Sequence, residues 1–463
     1  MASGRRFHSF PLAKSKNAAY NEAMLTDDKV KSGLRAWYKL CPVRHTLILV
    51  SALVILLHLL TRPLRALNVW LSERFVRPAH LWLSTQTGRV SFSVAELLIA
   101  LLVVFLLVYL VSQLVDLFRK PKFFLRLYRT LATLLALGLS VYAGFCLLWG
   151  VFYYGDDFTA RSGLKNEPVS TVQLERVTAY FAALANEYSG RVPRDESGVC
   201  AVDRGAVLDR SGELYRAVEA DYPCLAGPEL RAKGILCSRV MSYTDFTGFF
   251  FPFTAEANVN LDFPPALFAS TVAHELAHQR GVAKEQEANF VAVLACMKDG
   301  DPVFVYSAAL LAYTHLGNAL YQADRAAWER IAGTLNEAVR ADFAAQREYW
   351  AQFETPVQTV SNTVYEGFLQ SYDQKLGMKS YGACVDLLVN YYAPIVPDLR
   401  PSAPEKATEA ETPGEEGAPE GATEAEPPGE EGTPEGTEPP SEETAPPAAE
   451  PGTGPLAGDE KNP

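Results

Sequence analysis

The residues with the most chemistry to offer are His274, Glu275 and His278, set in the stretch Ser270-Thr-Val-Ala-His-Glu-Leu-Ala-His-Gln-Arg-Gly281. Two histidines four apart on a helix project from one face, one turn above the other. That spacing lets both imidazoles reach a single zinc ion at about 2.0–2.1 Å. Glu275, beside the first of them, is placed to take a proton from water on the metal. A catalytic zinc needs a third protein ligand and one open position. No third histidine follows nearby, and Lys284 occupies the place where a metzincin would carry one. Gly281 can end the first helix and reverse the chain. A second helix starting near Lys284 would then offer Glu285 or Glu287.

The segment Glu285-Gln-Glu-Ala-Asn289 resembles the E-x-x-A-D or E-x-x-A-N segment of several HExxH peptidase families. The resemblance implies Glu285 as the third metal ligand, with Glu287 the alternative, and Asn289 as the residue that orients a ligand from behind. The expected site is therefore His274, His278 and Glu285 around Zn²⁺, with Glu275 as the general base. Two blander readings compete. The histidines can be ordinary helix residues beside a solvated Glu-Gln-Glu face. A purely structural zinc would want four protein ligands, mostly cysteines, and none lies in this stretch.

Glu256, Tyr243, Tyr306 and His315 are weaker candidates, polar groups in apolar settings that could stabilise a developing oxyanion. For each, a hydrogen-bonded core role is the stronger expectation. Thr247 to Asn260 is rich in aromatics and reads as extended. Pro252 cannot donate to a ladder, which predicts an edge strand or an irregular start. Its Phe249–Phe253 part could take an extended peptide by strand addition, although core packing is the commoner use of such residues.

These residues need a scaffold, and the rest of the chain supplies one in unequal parts. Three apolar runs stand out, about Thr46–Leu60, Val94–Val115 and Leu131–Tyr153. A bilayer core takes roughly 20 residues of helix, which the last two provide and the first reaches with its flanking His45 and Thr61. The segment before the first run is too long for a signal peptide, and no small-residue cleavage site follows it. Arg5, Arg6, Lys14, Lys16, Lys29, Lys31, Arg35, Lys39 and Arg44 precede the first run, and Arg119, Lys120, Lys122, Arg126 and Arg129 follow the second. Positive loops stay inside. The expectation is a multi-pass plasma-membrane protein with a cytoplasmic N-terminus (residues 1–44), a three-helix anchor (45–154) and an extracytoplasmic domain (155–397). The loop 62–93, with five arginines, dissents mildly. Almost no ionisable group lies in the runs, Glu96 being near an end, so a pump or channel is disfavoured.

The domain reads as mostly helical, with an amphipathic helix marked by Val172, Val177, Tyr180, Phe181 and Leu184, and helical spacing from Val305 to Phe353. The net charge of −12 misleads, because 17 acidic and 2 basic residues lie from Pro401 onward, leaving 37 acids against 40 bases before it. Residues 398–463, rich in Pro, Glu and Gly, read as a disordered tail. No basic cluster interleaved with aromatics suggests nucleic acid as a partner. The seven cysteines include no C-x-x-C pair, and a Cys200–Cys224 bridge competes with free buried thiols.

A wider resemblance now comes into view. Ser242-Tyr243, Thr247 to Asn260, His274 to Gln279 with Gly281, Glu285 to Phe290, Tyr306-Ser307, Val360-Ser-Asn362 and Lys379-Ser-Tyr-Gly382 resemble the bacterial membrane proteins of domain-of-unknown-function family 3810. With the spans, the resemblance covers about residues 45 to 395. It implies a zincin-like, mostly α (α+β) metallopeptidase domain on a membrane anchor and names no substrate. The expected activity is hydrolysis of a peptide bond outside the cytoplasm, with the lipid bilayer and a peptide or protein substrate as partners. A zinc hydrolase of cell-wall or other non-protein amides, or a non-catalytic zincin-fold module for sensing or assembly, are the alternatives.

Overall fold

The computed structural model describes residues 32–33, 35–372 and 382–401. The tail expected to be disordered lies, from residue 402 on, outside the described residues, as does most of the N-terminal segment. In chain order the first elements are α1 (Pro42–Thr61), α2 (Arg65–Leu71), α3 (Arg77–Thr87), α4 (Val94–Arg119) and α5 (Phe123–Leu148). Then come α6 (Phe158–Ser162), α7 (Thr171–Ser189), α8 (Arg204–Arg210) and α9 (Arg216–Asp221). A three-residue β1 (Lys233–Ile235), α10 (Ser238–Tyr243), β2 (Gly248–Phe251) and β3 (Glu256–Asn260) precede α11 (Phe268–Gln279) and α12 (Glu285–Asp299). The chain closes with α13 (Pro302–Ala323), α14 (Arg325–Gly333), α15 (Glu337–Ala351), α16 (Pro356–Ser371) and α17 (Ala383–Tyr392).

Four of these helices are long and apolar enough to cross a membrane: α1, α4, α5 and α13. Their surroundings differ. The apolar window of α13 is 78% buried inside the protein, against 17%, 6% and 22% for α1, α4 and α5. The all-round apolar character of α13 therefore fits the centre of a globular core, where Tyr306, Leu310, Tyr313 and Leu316 meet α7 and α11.

The segment 62–93 that connects the first two apolar helices is itself largely helical. Asn68, Ser72, Val76, His80 and Ser84 recur every fourth residue and are all buried. A five-residue π-turn at Ser72–Val76 joins α2 to α3 and lets this polar stripe track the protein. Arg65 pairs with Asp156 at 2.6 Å, and Arg77 donates to the carbonyls of Cys224 and Ala226. Segment 62–93 and the chain beyond Leu148 thus meet at one end of α1, α4 and α5. At the other end Arg129 donates to the Leu40 carbonyl, close to Lys120 and Lys122.

The aromatic segment expected as one extended piece is a hairpin. Pro252 sits in the turn between β2 and β3, where its missing N–H costs nothing, and Ala255 takes a φ of 53° there. β3 is central, parallel to β1 and antiparallel to β2, so β2 is an edge. Every residue of β3 is buried. Its Glu256 accepts from the backbone N–H groups of Val94 and Ala95 and pairs with buried Lys233. This carboxylate satisfies the first orphan donors of α4 and opposes the positive end of that helix.

All seven cysteines are thiols. Cys200 is buried beside Asp342, which accepts from its N–H, whereas Cys224 sits in a 3-10 turn near Arg77 and Arg161. The Cys200–Cys224 bridge is not made, because the two sulfurs belong to different neighbourhoods.

The Lys233–Glu256 pair makes one test direct. Lys233→Met strands a buried carboxylate and is expected to cost about 3–5 kcal/mol. Thermal unfolding in detergent should show that loss, with part of it recovered in the double variant carrying Glu256→Gln as well.

Candidate metal centre

The site is built on two helices and the turn between them. α11 is buried from Phe268 to His278, and its end is set by Gly281, whose φ of 78° no side-chain-bearing residue adopts cheaply. The Gly281 N–H donates to the His278 carbonyl at 2.9 Å and the Val282 N–H to that of Ala277 at 3.1 Å. This is the paired closure of a Schellman motif. Lys284 is extended, and α12 starts at Glu285 with two acids in its first turn, where the helix field favours them.

That turn also orients a ring. The Nδ1–H of His278 donates to the Val282 carbonyl at 2.6 Å, and the Nδ1–H of His274 donates to Oδ1 of Asn289 at 2.8 Å. With both Nδ1 atoms committed, the two Nε2 lone pairs are left facing each other, 3.0 Å apart. Oε2 of Glu285 lies 3.1 Å from the first and 3.5 Å from the second. The three candidate ligand atoms fall within 4.8 Å of one another. Three acceptors converging on one point with no donor among them are mutually repulsive unless a cation or a proton lies between. The donor set, two imidazoles and one carboxylate, suits zinc.

The electrostatics agree with that reading. Burial disfavours a charged His278, yet the Glu285 carboxylate outweighs it and raises the imidazole to about 9. Burial pushes Glu285 upward too, but the two histidines reverse this and hold it well below the carboxylate range. Both shifts favour positive charge between the two rings and the carboxylate. Glu275 is pushed up to about 7 by burial, and its Oε2 has no hydrogen-bond partner among the described residues.

Glu287, the alternative ligand, faces elsewhere. It accepts from the N–H groups of Phe158 and Thr159 and from the Thr159 hydroxyl, capping α6. Of the weaker candidates, Glu256 belongs to the α4 cap, Tyr306 donates to Asp342 within reach of Arg194, and Tyr243 stacks edge-on against Phe353. His315 is buried with an unpartnered Nε2, and burial lowers it to about 4. None of the four lines the cavity, which measures about 170 Å³ and is walled by Phe249, Phe250, Tyr365, Trp149 and Tyr153.

Three wall residues escaped sequence reasoning. The Tyr365 hydroxyl, on α16, donates to Oε1 of Glu285 at 2.9 Å. Burial and the Glu285 charge push its ionisation well above the tyrosine range, so it stays a donor. The Trp149 ring lies edge-on to His278 with centroids 5.9 Å apart. Gly248 of β2 admits the Glu275 side chain, because a Cβ there would come within 2.5 Å of Oε1. The nearest signal for Tyr365 was its place beside Val360-Ser-Asn362. Nothing local marked Trp149.

A family model described as "Protein of unknown function (DUF3810)" matches residues 72–389. The chain belongs to this family. The DUF3810 match takes in α3 to α16, the whole site and most of α17, and leaves α1 and α2 before it. No curated protein and no solved structure matches the chain.

Two measurements test the centre. Metal loading of the full chain in detergent should give one zinc per chain, lost in His274→Ala or His278→Ala, and weakened about 10-fold in Tyr365→Phe, which loosens Glu285. Because the metal must displace the proton raised on His278, affinity should climb with pH toward about 9 and fall as pH drops. Calorimetry near pH 7 in buffers of different ionisation enthalpy should report close to one proton released; no release would contradict the cluster described.

Proposed function

We propose that this protein is a membrane-anchored, zinc-dependent hydrolase that cleaves a peptide bond outside the cytoplasm. One observation carries the reading: the bare Nε2 atoms of His274 and His278 and a Glu285 oxygen converge in a cavity that Glu275 also enters. When bound, zinc supplies Lewis-acid polarisation of a carbonyl and a lowered pKa for water.

The chain's own groups account for the rest. Glu275, raised to about 7, can both accept a proton from water in the cavity and return it to a leaving amine near neutral pH. Gly248 leaves room for that carboxylate beside β2. β2 is an edge strand of the described sheet, and with Phe249 and Phe250 on the wall it is placed to offer backbone groups to an extended peptide. Asn289 and Val282 keep the imidazoles in the tautomer that a metal needs. A helix bearing H-E-x-x-H, a following helix bearing the acidic ligand and an edge strand alongside support a zincin-like fold.

For the anchor we favour three spans, α1, α4 and α5, over four, since α13 is packed inside the domain. Arg44, Arg119, Lys120, Lys122, Arg126 and Arg129 lie at or beyond the ends of these helices opposite the candidate site, a denser group than the five arginines of 62–93 at the site end. Positive segments tend to stay in the cytoplasm, which supports a site on the outer side.

Glu275→Gln should keep one zinc per chain while lowering turnover of peptide substrates about 10²–10⁴-fold. Gly248→Ala, which displaces the same carboxylate, should act in the same direction. Peptide hydrolysis that survives Glu275→Gln would sink this mechanism.

A further inference from the structure

The candidate site lies against the end of the membrane helices with no linker between. Phe145, in the last turn of α5, and Trp149 and Tyr153 just beyond it line the cavity. Phe253, in the β2–β3 turn, lies against α5 at Gly144, where a Cβ would meet its ring at 2.7 Å. At the start of α4, Ser93 donates to Asn258 of β3 at 2.6 Å, and Glu96 accepts from the N–H groups of Leu236 and Cys237. The sheet and α10 therefore sit on the helix ends themselves. Trp149 and Tyr153 follow the end of a membrane helix directly, and Trp149 is buried against the domain there.

A second observation points the same way. Leu236 is 86% exposed, Val360 63% and Val364 67%, and Val240, Tyr243 and Val357 are exposed beside them. Among the described residues beyond Gly155, only Val172, Ile395 and Leu399 are other large apolar side chains so exposed. The six lie on two neighbouring pieces of chain. Ser361 and Asn362 of α16 bond to Thr244 and Asp245, which follow α10 directly. From the same helix, Tyr365 reaches Glu285 and Phe368 packs on Phe145. An apolar surface of this kind, continuous with membrane helices, is what a bilayer covers.

We propose that the site is fed from the bilayer: its substrate is a polypeptide anchored in the same membrane and cut within a few residues of its apolar segment. This rests on the hydrolase reading above. The ring contact from His278 to the helix-end residue Trp149 puts the candidate site at the level where the membrane helix ends, so a short tether is enough to span from bilayer to scissile bond. The aromatic wall accepts the apolar residues that flank such a segment.

The test uses the full zinc-loaded chain in phosphatidylcholine–phosphatidylglycerol vesicles. One randomised peptide library is offered free, palmitoylated through a spacer of about three residues, or palmitoylated through about twenty, reaching roughly 10 Å and 65 Å when extended. Both anchored forms gain alike from concentration at the surface, so spacer length isolates geometry. The short-spacer form should be cut about tenfold faster than the long one. Val360→Asp with Val364→Asp should erase that difference while leaving the free library unchanged. Equal rates for both spacers, or faster cutting of the free library, overturn the proposal and leave the hydrolase reading standing. Cleavage of no form by zinc-loaded protein removes both. A photoactivatable phospholipid in the vesicles should also label residues 236–243 and 357–364, and failure to label them overturns the membrane seat regardless of activity.

Discussion

The site depends on what the far side of each imidazole does. His274 and His278 are four apart on α11, which brings the rings together, but it is Asn289 and the Val282 carbonyl that decide which nitrogens meet. Both partners come from the chain just after the Gly281 turn. The Schellman closure at that turn is thus part of the ligand geometry as well as the end of a helix. Once Nδ1 is committed on both rings, the Nε2 pair and the Glu285 oxygen form a concentrated patch of acceptors at the cavity.

Around that patch the protein is assembled from both sides of its sequence. Tyr365 steadies Glu285 from α16, eighty residues downstream, while Trp149 closes the cavity from the end of α5, well upstream. The sheet ties these parts together. Buried Glu256 joins β3 to the backbone of α4 and to Lys233 of β1, so the strand beside Glu275 is fixed to a membrane-length helix by a charge that is fully paired. A small movement of that helix would be felt at β2, whose Gly248 touches the Glu275 carboxylate.

The same coupling explains features that look wasteful in isolation. The polar stripe from Asn68 to Ser84 would be a poor membrane segment and a poor free helix, yet it docks on Phe152, Phe250 and the 226–228 turn. His80 lies over Phe152 and edge-on to Phe250, one layer behind the cavity wall. The segment between the first two apolar helices is therefore part of the domain that holds the site.

The sequence by itself determined the helix pair that carries the candidate metal site, the three exposed apolar helices and the family, because each is written in local spacing. Helical periodicity placed His274 and His278 on one face, and unbroken apolar runs marked α1, α4 and α5. It also raised Glu285 above Glu287, through a resemblance and helix geometry together. Only the tertiary structure separated them, since Glu287 is drawn away by the orphan N–H groups of α6, a partner 128 residues distant. Only the tertiary structure revealed α13 as core, the aromatic segment as a hairpin, and Tyr365 and Trp149 as walls. Burial, strand pairing and contacts across more than a hundred residues leave no periodic trace in the chain, because they depend on which surfaces meet after the helices have formed.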